Sequence, residues 1–165
     1  MSLAEAAAEA DELAQSGAER ELAVLRQQWD EELESAARSA DYRQRAVAYR
    51  AIGQFRFRQK LELLRRGLED ESPAARGSAL IALEGLSRNH PGDINSFRPL
   101  LHELAARDPN AAVRRLAIVS LRNGTPQRDT IQILDGIADS DEEEAEVRKT
   151  AQSVSALLLK KSRAK

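Results

Sequence analysis

The 165-residue chain has no cysteine. That excludes disulfides, thiolate-bound metals and a cysteine nucleophile, and it fits a reducing compartment, so a cytoplasmic location is expected. Aromatic residues make up only 4% of the chain, too few for the core of an ordinary β-sandwich or for a platform on which single-stranded nucleic acid would stack. No window approaches the roughly 20 apolar residues of a membrane span, and no membrane partner is expected. The opening run Met1-Ser2-Leu3-Ala4-Glu5 lacks a basic region and is soon interrupted by Glu9 and Asp11, so it does not read as a signal peptide. Also missing are a glycine-rich phosphate loop, a serine nucleophile elbow and an HExxH helix.

What remains is abundant charge and strong helix formers. Charged residues are 32% and hydrophobic residues 42% of the sequence, with alanine, leucine, arginine and glutamate plentiful, a bias that favours helix throughout. The formal net charge of −2 conceals segregation along the chain. Residues 1–38 carry ten acids against Arg20, Arg26 and Arg38, whereas residues 39–66 carry eight cations against Asp41 and Glu62. An acidic run at 139–144 precedes a basic tail at 160–165.

The organising signal is a repeat. Arg45, Arg76, Arg114 and Arg148 are each followed three residues later by alanine, at Ala48, Ala79, Ala117 and Ala151, with gaps of 31, 38 and 34 residues. Periods of this size mean stacked helix pairs. The spacing predicts repeats over about 39–70, 71–107 and 108–139, a half repeat at 140–159 and the tail 160–165, with acidic helices at 1–38 capping the array.

Local signals place the helices. Leu3, Ala7, Ala10, Leu13 and Ala14 form a weak first stripe, and Ser16-Gly17-Ala18-Glu19 reads as a break followed by a capping box. Leu22, Leu25, Trp29 and Leu33 form the next stripe, with Trp29 expected as a core anchor. Asp41 is an expected N-cap, and Gly53 suits the left-handed position after a helix. Phe57, Leu61, Leu64 and Leu68 fall on one face of an expected B helix over 55–68. Ser72-Pro73, Asp108-Pro109 and Thr125-Pro126 read as cap-plus-proline starts, and Ser140 to Glu143 as another capping box. The stretch 87–93 is the longest expected loop, followed by a helix carrying Ile94, Phe97, Leu100, Leu101 and Leu104.

These residues resemble the HEAT and HEAT-like (PBS-lyase-type) repeats, whose first helix carries an aspartate or proline near its start, then valine-arginine, alanines and leucine. The match is closest in Asp108-Pro109 with Val113-Arg114, Ala117 and Leu121, and in Asp141 with Val147-Arg148 and Ala151. It is looser in Asp70, Pro73, Arg76 and Ala79, and in Asp41, Arg45 and Ala48. The resemblance spans about 39–159 and implies an all-α fold, a right-handed α-solenoid of antiparallel helix pairs with about seven to nine helices. It also implies a structural role for the repeated arginine, pairing with the aspartate of its own or the adjoining repeat.

Candidate chemistry is sparse. Some HEAT-like hydroxylases bind iron through several histidine-glutamate pairs, but this chain offers only His102-Glu103, and its other histidine, His90, precedes a proline. No metal site, cofactor or catalytic residue is expected. The best functional candidates are the cations of the first B helix, Arg56, Arg58, Lys60, Arg65 and Arg66. In this repeat class B helices line the concave surface, where a basic patch could hold an acidic protein partner or a nucleic-acid backbone. The competing reading is that residues 1–38 neutralise it. The expected function is a non-catalytic scaffold that binds a protein on its concave face. DNA-backbone binding, as in HEAT-like alkylpurine glycosylases, is the first alternative, opposed by a pI near 5.8. A bilin lyase or chaperone role is the second, on fold analogy alone.

Overall fold

The structure, a computed structural model, describes residues 1–164. Among them are ten α-helices and no strand, so the all-α expectation holds, although the helices outnumber the seven to nine foreseen. They fall into two compact units, Met1–Leu86 and a second beginning at Ser87.

The first unit contains α1 (Leu3–Gln15), α2 (Glu19–Ala37), α3 (Tyr42–Gln54), α4 (Leu61–Leu68) and α5 (Pro73–Leu86). α1 packs on α2 and α3, α2 on α3, and α5 on both α3 and α4, the α3–α5 contact being the most extensive. Small residues make this closeness possible. A Cβ built on Gly53 would sit 2.8 Å from Ala82 Cα, so Gly53 is the point where α3 and α5 nearly touch. It does not end the helix as its type suggested. α3 runs on to Gln54, and the left-handed residue after it is Arg56, with φ 55°.

Several local signals resolve differently from the sequence reading. α1 begins with a capping box that the sequence reading passed over: Ser2 Oγ accepts from the Glu5 N–H at 3.1 Å, and Glu5 accepts from the Ser2 N–H. Ser16 caps nothing forward; its hydroxyl donates to the Leu13 carbonyl, and Gly17, at φ 76°, makes the turn. Trp29 is half-buried, and the fully buried anchors of α2 are Leu22 and Leu33. Ala6 joins the core of α1 in place of Leu13 and Ala14. Asp41 caps α3 as expected, accepting from the Arg43 N–H at 2.9 Å.

The expected B helix over 55–68 is two pieces. Residues 55–57 form a turn, Arg58–Lys60 a short 3-10 segment, and only from Leu61 does the chain become α-helical. The buried face of α4 is therefore Leu63, Leu64, Gly67 and Leu68, with Leu61 half-buried.

The second unit contains α6 (Pro91–Asn95), α7 (Arg98–Arg107), α8 (Ala111–Leu121), α9 (Arg128–Ala138) and α10 (Ala145–Arg163). α8 packs on α7 and α10, and α9 on α10 and α7. The expected loop 87–93 folds into a helix from Pro91, and a break at Ser96-Phe97 separates α6 from α7; this accounts for the extra helix. Asn110, not Asp108, caps α8, accepting from the Val113 N–H at 3.1 Å, while Asp108 accepts from the Asn110 N–H. A single proline between two capping-competent residues made the start ambiguous by two residues. Thr125-Pro126 likewise precedes α9 rather than opening it, with Gln127 as N-cap, because Thr125 is bonded instead to the Asn95 amide. The box at 140–143 is also absent: α10 starts after Glu144, since Glu143 is engaged elsewhere. The buried face of α8 is Val113, Ala117, Ile118, Ser120 and Leu121.

Candidate functional site

The repeated arginines occupy equivalent places. Arg45, Arg76 and Arg114 each donate from Nη1 to a carbonyl six residues back, at Ser39 (3.0 Å), Asp70 (2.9 Å) and Asp108 (2.8 Å). Each thus satisfies the backbone just before its own helix, a site where unpaired carbonyls would otherwise need water. Arg45 also grips Asp70 in a two-pronged pair, Nε to Oδ2 at 2.8 Å and Nη2 to Oδ1 at 2.9 Å. Arg114 grips Glu143 the same way, at 2.9 and 2.8 Å. The sequence pointed to Asp141 for the last repeat, but that residue is exposed, and the longer Glu143 reaches the guanidinium instead. Arg148 has a buried Nε without a hydrogen-bond partner. Pro73 begins α5, and Pro109 lies outside α8 between Asp108 and Asn110.

These pairs shift titration. Burial alone would raise the Asp70 carboxyl, but the Arg45 hydrogen bonds, the Ser72 N–H and nearby charge outweigh it and hold Asp70 below the usual carboxylate range. Glu143 is lowered chiefly by its hydrogen bonds from Arg114.

The five cations proposed for partner binding separate into distinct environments. Lys60 is 9% exposed, its Nζ held between Asp30 Oδ1 at 2.7 Å and Glu34 Oε1 at 2.9 Å, over the Phe57 ring. Burial disfavours its charge, yet the two carboxylates more than offset that and raise its proton affinity; Glu34 is lowered in turn, chiefly by its hydrogen bond from Lys60. Arg56 bonds Asp11 at 2.8 Å and turns back to the Gly53 and Gln54 carbonyls. From α2, Arg26 donates to the Phe55 carbonyl at 2.7 Å. The segment 55–60 is thus stitched to the acidic N-terminal helices, and Lys60 is not on the surface. Arg65 lies 3.8 Å from Glu62, Arg58 is exposed, and Arg66 is exposed with no ion pair among the described residues.

Other cations frame a groove in the first unit. A depression of about 490 Å³ between α1, α2 and α3 is lined by Leu3, Ala4, Ala36 and Val47, with Glu32, Arg43 and Gln44 among its polar residues. A second, of about 330 Å³, shares Ala4 and Val47 and continues to Arg50, Gln54 and Ser78. Arg43 and Arg50 lie on one face of α3, seven residues apart, and neither enters an ion pair among the described residues; Arg43 stacks on the exposed Tyr42 ring. Val47 between them is 39% exposed.

In the second unit Arg98 is 6% exposed and surrounded by neutral acceptors: Thr130 Oγ1 at 2.8 Å, the Thr125 carbonyl at 3.0 Å and the Asn95 side chain. Its Nε is buried without a partner, and burial lowers its proton affinity. His102 Nε2 lies 2.8 Å from the same Thr130 hydroxyl, and burial, then the Arg98 charge, depresses its pKa below the ordinary 6.5. Among the described residues no three histidine, aspartate or glutamate side chains gather as a metal site, and no helix is long and apolar enough to cross a membrane.

Helix pairs of this length, arginine-tied at their starts and closely packed through alanine and glycine, define a helical-repeat protein. The family model for HEAT repeats matches residues 30–103, from the middle of α2 into α7, and that stretch is similar to HEAT repeats. No curated protein and no solved structure matched the chain.

Proposed function

We propose that this chain is a non-catalytic cytoplasmic interaction module that binds a protein partner through the groove along α3, and that the partner segment is an acidic amphipathic helix. The observation that supports this reading is the row Arg43, Val47 and Arg50: two arginines without ion pairs on either side of an exposed aliphatic residue, over an apolar floor. Such a strip suits the helix-in-groove mode, in which apolar anchors enter the groove and carboxylates meet its rim. HEAT repeats commonly mediate protein association, which agrees with the proposal. The groove takes the place of the basic B-helix surface, because Lys60 and Arg56 there already have carboxylate partners. The same neutralisation weighs against a DNA-backbone site on 55–68.

The test compares proteins cross-linked to the wild-type chain with those cross-linked to a Val47→Asp, Arg50→Glu variant and to an Arg58→Glu control. A partner retained by wild type and control but lost from the groove variant supports the proposal. A partner lost only from the control, or a DNA duplex bound at low salt by wild type and not by the control, refutes it.

A further inference from the structure

A third cavity in the first unit, of about 310 Å³, opens where the ends of α2 and α4 meet α3. Its lining includes Arg38, Arg45, Tyr49, Arg66, Asp70 and Glu71. Tyr49 is 97% buried, being 3% exposed, with its ring packed so tightly on α4 that a Cβ on Gly67 would lie 3.0 Å from it. Its hydroxyl has no hydrogen-bond partner among the described residues and is not fully buried, and Tyr49 lines the cavity.

The repeat shows that packing does not ask for this hydroxyl. Tyr49 stands four residues after Arg45; Leu80 and Ile118 stand four after Arg76 and Arg114, both fully buried. A phenol at this register buries a polar tip that an aliphatic residue would avoid. Burial first, and Asp70 second, raise the phenol's pKa, so it remains a proton donor at neutral pH.

The charges around it are unequal in availability. Asp70 is held by both prongs of Arg45 and by the Ser72 N–H, and Glu71 is 91% exposed and turned to solvent. Arg38 shares one nitrogen with Glu34 at 2.9 Å, and Arg66 has no carboxylate partner. With Arg45 committed to Asp70 and one Arg38 nitrogen to Glu34, Arg66 is the guanidinium left without an ion pair among the described residues, beside an unused hydroxyl donor.

We infer that this cavity is an oxyanion site, in which Tyr49 donates a hydrogen bond and Arg66 and Arg38 supply charge to a phosphate group, either free or carried on a phosphorylated side chain. Planar guanidinium groups and a neutral hydroxyl are the donors such a group selects. The site is separate from the groove along α3 and stands whether or not that groove binds a partner.

The test is an amide NMR titration of the full chain with inorganic phosphate and, separately, with a short otherwise uncharged peptide carrying one phosphoserine, sodium chloride holding ionic strength constant. Saturable shifts centred on Tyr49 and Gly67 are expected, absent in Arg66→Ala. Tyr49→Phe, which keeps the ring, should weaken binding by about tenfold, the loss of one charge-assisted hydrogen bond. Arg50→Ala lies outside the cavity and should bind as wild type does. Tighter binding of the peptide places the oxyanion on a partner side chain, and binding of phosphate alone makes it a free anion; both outcomes uphold the site. No saturable shift with either probe, or undiminished binding in Arg66→Ala, overturns it.

Discussion

Replacing Gly53 with alanine and, separately, Gly85 with alanine should move stability in opposite directions. Both glycines sit inside helices, so each substitution gains up to about 1 kcal/mol of helix propensity. At Gly85 nothing lies within 4 Å of the new methyl, and that gain should appear nearly whole. At Gly53 the methyl would lie 2.8 Å from Ala82 Cα, 3.1 Å from Ala82 Cβ and 3.4 Å from the Ala82 carbonyl. Carbon pairs are comfortable at about 3.5–4.0 Å, and the atoms in the way are mainly backbone, which cannot rotate aside as a side-chain tip would. α3 and α5 must then part along their most extensive contact, at a cost of about 1–3 kcal/mol for overpacking. The net expectation for Gly53→Ala is a loss of about 1 kcal/mol, and for Gly85→Ala a gain of somewhat less than 1 kcal/mol. Urea denaturation followed by helix circular dichroism reads both, as a lower midpoint for the first and a higher one for the second at unchanged slope. A Gly53→Ala midpoint equal to or above that of Gly85→Ala would refute the claim that close approach, rather than helix propensity, governs Gly53.

Other substitutions address the polar contacts. Lys60→Met keeps the buried stem but leaves Asp30 and Glu34 facing each other, so the variant should lose about 1–2 kcal/mol at pH 7 and approach wild type as the solution is acidified through pH 4, followed by denaturation at each pH. The sign follows from Glu34: its folded pKa is depressed by Lys60, so its contribution is present above the unfolded value near 4.5 and is lost as pH falls, and the variant lacks it. Asn110→Ala should cost about 1 kcal/mol as a lost N-cap, read from the urea midpoint; a neutral result would mean that another residue caps α8. His102 is depressed below 6.5, so the unfolded chain takes its proton first; stability should be intact above pH 6.5 and decline below it, a slope that His102→Asn removes. An imidazole titrating at or above 6.5 by NMR would contradict that assignment.

The helical architecture was readable because it rests on periodicities that local sequence carries directly. The arginine-alanine register and the leucine stripes located every long helix, and Asp41 announced its cap. Boundaries failed where one residue could serve two purposes. Ser16 could cap forward or bond backward, and Gly53 could end a helix or let another pass close by; only the neighbouring helix decides, and Ala82 lies 29 residues away. The surroundings of the basic segment 55–66 were hidden for the same reason. Its charge was plain in the sequence, but the partners of Lys60 and Arg56 are 26 to 45 residues upstream. Arg43, Arg50 and Arg66 enter no ion pair among the described residues, and composition does not mark them; only the packed neighbours distinguish them from Arg56 and Lys60.

The burial of Lys60 by α2 has a practical consequence for anyone trimming this chain. A fragment that starts at residue 39, where the arginine-based repeats begin, would look complete by register yet carry an ammonium stripped of both counterions and a Phe55 carbonyl stripped of its bond from Arg26. Excised in that way it should come out insoluble, whereas a fragment beginning at Ser2 and ending at Leu86 retains every one of those contacts. The acidic helices therefore travel with the first repeat as one inheritable block, and any shuffling of repeats between proteins would have to cut elsewhere.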